Sequence, residues 1–252
     1  MGEHETGAPA GRPLTRRGRE TRQRIVAAAA ELMFDNGVAE TTLEDIRAAA
    51  GVSGSQVYHY FEDKQALVRA VIDYQTDAVL DAQGAHLDRL DSMAGLRAWR
   101  DFLVEHQRRL GCRGGCPIGA LGAEVAETDA VARLAAARGL RRWEGRIREG
   151  FQAMHARGDL AAGTDPDDLA LATLAALQGG LLLTQLQRDT RPLEVTLDAM
   201  LDRVQTLTIE RAKPQSGPRS GQGAGDRSVQ PGLDLTGGDI TQPSPPEASV
   251  CA

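Results

Sequence analysis

The chain has 252 residues, 41% hydrophobic and 25% charged, with a formal net charge of −6 at pH 7. That balance is ordinary for one or two globular domains with sizeable cores, and it excludes a fibrous or wholly disordered chain. No run of ~18 apolar residues is present, which argues against a membrane span, and three cysteines, an odd number, argue against a secreted disulfide framework.

Aromatic residues are only 4% while alanine, leucine, glutamate and arginine dominate, so nearly all of the ordered chain is expected to be helical. Residues 1–14 are rich in Gly, Pro and Ala without periodicity and lack the apolar centre of a signal peptide. They read as a disordered arm on a cytoplasmic protein. Arg12, Arg16, Arg17, Arg19, Arg22 and Arg24 then stand against the single acid Glu20, a local charge of +5 inside a negative chain. Such a patch, rather than the mean charge, is what meets nucleic-acid phosphate; the alternative is a solvated tail. The first helix is expected from about Thr15 to Asn36, with Ile25, Ala28, Ala29, Leu32 and Met33 as its apolar stripe and Gly37 ending it.

The next stretch, TTLEDIRAAAGVSGSQVYHYFEDK (Thr41 to Lys64), reads as a helix-turn-helix. Thr42 is a good N-cap, and Asp45 three residues on places a carboxylate at the positive helix end. Gly51 suits the left-handed residue after the helix, Val52 fills the turn, and Ser53 caps a short helix from Gly54 to Tyr60. Two short helices joined in this way form the unit that lays its second helix in the major groove.

These residues, together with RIVAAAAELMFDNG (Arg24 to Gly37), resemble the DNA-binding region of the TetR family of bacterial transcriptional regulators over roughly Arg22 to Leu67. The ordered series from Ile25 to Lys64 carries the match; Arg47 departs from it, standing where the pattern usually has alanine. Its stem either snorkels outward to solvent or phosphate, or the two helices cross more widely here. The resemblance implies base-edge contacts from Gly54, Ser55 and Tyr58, and phosphate contacts from Gln56, His59, Tyr60, Lys64 and Thr42. Tyr58 packing inside is the alternative, and Phe61 is expected inside. No operator sequence follows from these residues.

A helix beginning near Asp63 should face Leu67, Val68, Val71, Ile72, Val79 and Leu80 inward, and by resemblance it links the two parts of the protein. Helices follow at Ser92 to Leu110, at Cys116–Pro117 to about Glu127, from Thr128 or Asp129 to Gly158, from Asp165–Pro166, and from Pro192, the prolines being well placed in first turns. The long helix before Gly158 should bury Leu134, Leu140, Trp143, Ile147, Phe151 and Met154. The run Leu169 to Leu186 is apolar nearly all round and must be covered on every side. The resemblance implies a four-helix homodimer interface there, through Leu174, Leu177, Leu181, Leu197, Leu201 and Val204, with Gly179–Gly180 allowing close approach. The alternative is packing inside one chain. Residues 213–252, proline-, glycine- and serine-rich, read as a disordered tail.

The expected architecture is all-α with about nine helices. A helix-turn-helix domain over 15–62 precedes a helical effector-binding and dimerisation domain over 63–212. By resemblance the second domain holds a small-molecule pocket, with Trp99, Phe102, His106, Cys116, Trp143, Phe151 and Gln178 as candidate walls; each is otherwise plain core. The segment GCRGGCPIGAL (Gly111 to Leu121) resembles the CPxG signature of a subgroup that includes the LmrA- and YxaF-like regulators, which implies a planar aromatic effector. Cys112 and Cys116 have three readings: packing, thiol sensing helped by a helix N-terminus and Arg113, or metal binding, for which two ligands are too few. The regulator reading implies double-stranded DNA, a homodimer and a small effector as partners, with no cofactor. The competing class is a helical thiol-dependent enzyme or redox sensor, for which no nucleotide loop, metal cluster or carboxylate pair is visible.

Overall fold

The computed structural model of the protein describes residues 14–209. Of the arm expected over 1–14, residues 1–13 lie outside the described residues, as does the tail expected over 213–252. Nine helices fill the described chain: α1 (Arg16–Asn36), α2 (Leu43–Ala50), α3 (Gly54–Tyr60), α4 (Lys64–Leu87), α5 (Met93–Arg109), α6 (Pro117–Val125), α7 (Ala130–Ala156), α8 (Pro166–Gln187) and α9 (Arg191–Leu207). The sole β feature among these residues is an isolated bridge between Leu160 and Thr208, which ties the end of α9 to the turn after α7.

Local chemistry sets the boundaries. Thr15 caps α1, accepting from the Gly18 amide at 3.2 Å. Thr42 and Ser53 each open their helices with complete capping boxes, partnered by Asp45 and Gln56. Gly51 ends α2 with φ 62°, a left-handed conformation that a Cβ would strain, so the tight turn into α3 depends on glycine there. Asp63, Ser92, Cys116, Asp129 and Asp165 cap α4 to α8 through their side chains.

Two apolar cores result, and their border does not follow the expected boundary at residue 62. One contains Ile25, Val26, Ala29, Met33, Ile46, Val57, Phe61, Leu67 and Val71, but also Leu121 and Val125 of α6 and Ala132, Ala135 and Ala136 of α7. The other gathers the later half of α4 with α5, α7, α8 and α9. Helices α6 and α7 therefore complete the core of the N-terminal head. Leu134 departs from expectation, being exposed: the inward face at the start of α7 is the small-residue line Ala132, Ala135, Ala136 and Gly139. Those residues admit close neighbours, and Leu134 falls on the opposite side of the turn.

The α8–α9 pair also corrects the sequence reading. Leu174, Leu177, Leu181, Leu197 and Val204 are buried within this one chain, and Leu201 packs half-buried against the same core. What α8 leaves outside is a stripe at helical spacing: Leu171, Ala175, Gly179, Leu182, Leu183 and Leu186. The paired glycines divide the same way. Gly180 meets α9, where an added Cβ would lie 2.5 Å from Thr196 Oγ1, whereas Gly179 faces open space. By length and composition α8 could cross a membrane, which the sequence reading did not allow; here it packs against α7 and α9.

Candidate nucleic-acid interface and ligand cavity

Helix α3 is seven residues long, and the split between its faces is sharp. Val57 and, just after it, Phe61 are buried in the head, while Ser55, Gln56, Tyr58 and His59 point outward. Tyr58 is 63% exposed, a large aromatic surface held out by a short helix. Tyr60 is half-buried and packs on the head core, its ring edge-on to His59 at 4.9 Å between centroids. The predicted contact set is thus not uniform. Thr42 exchanges hydrogen bonds with Asp45, and Gln56 Oε1 accepts from the Ser53 amide at 2.8 Å, so both serve first as caps. Lys64 Nζ donates to the Ala39 carbonyl at 3.3 Å. Gly54 is half-buried below Arg47.

Arg47 resolves outward. Its guanidinium pairs with Glu44 at the surface and its stem passes over Gly54. Beside α3, Arg16, Arg17 and Arg24 of α1 line one concave surface with Gln56, while Arg22 stacks over Phe61 at 5.1 Å. The described part of the arginine-rich segment therefore borders the exposed face of α3.

A cavity of about 410 Å³ opens between the two cores. Its walls come from Tyr74, Gln75, Ala78 and Val79 of α4, Phe102, Leu103, His106 and Gln107 of α5, Trp143 of α7 and Leu181 of α8. Two further segments contribute: Ala27, Ala30, Glu31 and Phe34 of α1, none of them anticipated, and Gly115, Cys116 and Pro117 at the start of α6, of which Cys116 was. Of the predicted pocket residues, Phe102, His106, Cys116 and Trp143 line it. Trp99 and Phe151 are core: Trp99 Nε1 donates to Gln83 Oε1 at 2.9 Å, and that glutamine reaches the cavity wall. Gln178 stands behind Cys116, touching the thiol. His86, Phe102 and His106 form a stacked ladder, at 4.5 and 6.0 Å between ring centroids.

Two ionisable groups at the cavity, Cys116 and His106, are held uncharged. Burial pushes the Cys116 thiol above its ordinary value, against the smaller opposing help of the Gly119 amide, which donates to Sγ at 3.4 Å. The helix N-terminus was expected to favour a thiolate, and desolvation outweighs it. Partial burial, then Arg109, pushes His106 below the usual histidine range, so it is neutral at pH 7.

A direct tie joins this half of the protein to the reading head. Glu124, in the last turn of α6, accepts from the backbone amides of Val38 and Ala39 at 2.9 and 2.8 Å. Those amides follow Gly37, whose φ of 84° turns them toward the carboxylate as a small anion-binding nest. Sequence spacing could not have found this tie, because its partners are 86 and 85 residues apart.

A helix-turn-helix with an exposed aromatic-polar second helix, joined to a helical body containing a cavity, defines a two-part DNA-binding regulator. Family models agree: residues 25–71 match "Bacterial regulatory proteins, tetR family" and residues 92–200 match "Tetracyclin repressor-like, C-terminal domain". The transcriptional regulator AcuR of Cereibacter sphaeroides is 32% identical, over 68% of this chain and 79% of its own. The HTH-type transcriptional repressor DhaR of a Mycobacterium species is 27% identical over 75% of this chain and 96% of its own. A solved TetR regulator from Chloroflexus aurantiacus superposes with TM-score 0.67 at 29% identity, covering 77% of this chain and 98% of that one. The chain belongs to the TetR family of transcriptional regulators.

Proposed function

We propose that the protein is a repressor that binds a palindromic DNA operator as a homodimer and is released by a small apolar effector. The observation that carries this reading is the composition of the cavity wall, which includes both α1 of the head and the start of α6. The far end of α6 holds the α1–α2 turn through Glu124. An occupant of the cavity therefore presses on the head directly and through α6. By linkage it releases DNA only as far as it prefers the conformation that does not bind DNA.

On the DNA, Ser55, Tyr58 and the surface at Gly54 meet base edges. His59, the Gln56 amide and Arg16, Arg17 and Arg24 meet phosphates, with Thr42, Tyr60 and Lys64 at the margin. The exposed α8 stripe, Leu171, Leu182, Leu183 and Leu186, pairs two copies, with Gly179 allowing close helix approach. A line of exposed leucines this long needs cover. Two heads so joined read half-sites ~10 bp or a multiple apart, and the chromosome they read places the protein in the cytoplasm. The thiol-dependent alternative needs a thiolate near neutral pH, and burial drives Cys116 the other way.

The test is selection of bound fragments from the source genome, followed by release with candidate ligands. Recovery of a palindrome upstream of neighbouring genes, bound by a dimer and released on cavity occupancy, is the expected result. Equal binding of selected and random duplex at low salt would defeat the proposal.

A further inference from the structure

The cavity wall combines three features that together describe a ligand. Its body is apolar, with Phe102 of the stacked ladder, Val79, Leu103 and Leu181 exposed to it. Among the described residues, no lysine or arginine lines it, and the acid at its edge is Glu31. A carboxylate or phosphate placed there would lose its hydration without gaining a counter-charge, so an anion is disfavoured.

The third feature is an unpaired donor and an unpaired acceptor. Trp143 and Gln107 both line the cavity and are 2% and 3% exposed, yet Trp143 Nε1 and Gln107 Oε1 have no hydrogen-bond partner among the described residues. Gln83, the neighbouring wall amide, shows the contrast. Its oxygen accepts from Trp99 and its nitrogen donates to the Val79 carbonyl at 3.0 Å. A buried indole N–H or amide oxygen left unpaired carries a desolvation penalty that a partner removes. Neither atom itself has surface open to the cavity, so a bound group meets them only as the two side chains turn, a small adjustment for the soft terminal torsion of Gln107 and a rotation of the indole for Trp143.

We infer that the cavity takes an uncharged aromatic or alicyclic compound carrying a carbonyl beside a hydrogen-bond donor, such as a carboxamide or hydroxy-carbonyl. The carbonyl accepts from Trp143 Nε1, and the adjacent N–H or O–H donates to Gln107 Oε1. This rests on the reading of the cavity as the effector site, and it names the chemistry that site selects.

Three matched probes separate the two ideas by equilibrium dialysis at pH 8: naphthalene, 2-naphthamide and 2-naphthoate. All share one ring system, small enough for the cavity. The expected result is that 2-naphthamide binds at least about tenfold more tightly than the isosteric anion. Gln107→Leu and Trp143→Phe should each weaken 2-naphthamide about fivefold to tenfold, the loss of one hydrogen bond. Naphthalene should hold within about twofold in both variants, which also certifies that the cavity is intact. If naphthalene binds but 2-naphthamide is indifferent to both substitutions, or 2-naphthoate binds more tightly than the amide, the ligand class is wrong while the cavity reading stands. If no probe binds the folded wild-type chain, the cavity reading falls, and this inference with it.

Discussion

Replacing Glu124 with alanine removes a carboxylate that two backbone amides in the head depend on. The amides of Val38 and Ala39 donate to it at 2.9 and 2.8 Å, and both sit in the turn that leads into α2. A hydrogen bond to a charged group contributes ~1.5–3 kcal/mol when shielded from water. Glu124 is exposed, and water replaces it once it is gone, so the pair together is set at ~1–2 kcal/mol. For a chain of this size that lowers the thermal midpoint by roughly 2–8 °C. Because the lost contacts position α2 and α3, operator affinity should also fall, about fivefold for ~1 kcal/mol of positioning energy. Glu124→Gln keeps one oxygen acceptor and should fall between. The assays are differential scanning fluorimetry and fluorescence anisotropy on a selected operator, with and without cavity ligand. A Glu124→Ala variant whose midpoint moves less than about 1 °C and whose operator affinity is unchanged would refute the reasoning. The tie would then be a surface contact without consequence for the head.

Tyr58→Ala should leave stability within ~0.5 kcal/mol, because the ring is outside the core, while reducing the preference for operator over random duplex by ~1–3 kcal/mol; an unchanged ratio in competition anisotropy would remove Tyr58 from base reading. Arg17→Ala should instead weaken all duplexes alike and reduce the salt slope by ~1. Leu182→Arg should raise the dimer dissociation constant at least about a hundredfold with the fold retained, whereas Leu201→Arg should unfold the chain, since Leu201 packs on the core. An unaltered Leu182→Arg dimer in sedimentation would move the interface off α8. Cys116, its thiol pushed up by burial, should alkylate slowly at pH 7 and accelerate only above the ordinary thiol value of 9.0. The folded chain holds that proton more tightly than the unfolded one. Its contribution to stability is therefore complete below pH 9.0 and declines as pH rises through the folded value. Fast alkylation of a Cys251→Ser chain at pH 7, with DNA release, would restore the sensing role.

Local signals carried the reading head and the helix boundaries. Thr42, Asp45, Gly51, Ser53 and the prolines at helix starts act within three or four residues of themselves, so their consequences can be read along the chain and recur in the structure. Phe61, expected inside, is buried, and Val57 joins it there, which leaves α3 its polar face. Facing was a different matter. The run from Leu169 to Leu186 is apolar on all sides, so periodicity could not say which leucines meet α7 and α9 and which are left outside. Only packing assigned Leu174, Leu177 and Leu181 to the chain's own core and Leu182, Leu183 and Leu186 to the surface. The cavity depended on tertiary structure for the same reason. Phe102, His106, Cys116 and Trp143 could be nominated by type, but their neighbours Ala27, Phe34 and Gln107 are unremarkable in sequence and meet only because α1 and α5 flank one gap. The thiol was decided there too: a cap position and a nearby arginine predict a lowered pKa, and the surrounding apolar walls, invisible along the chain, raise it instead.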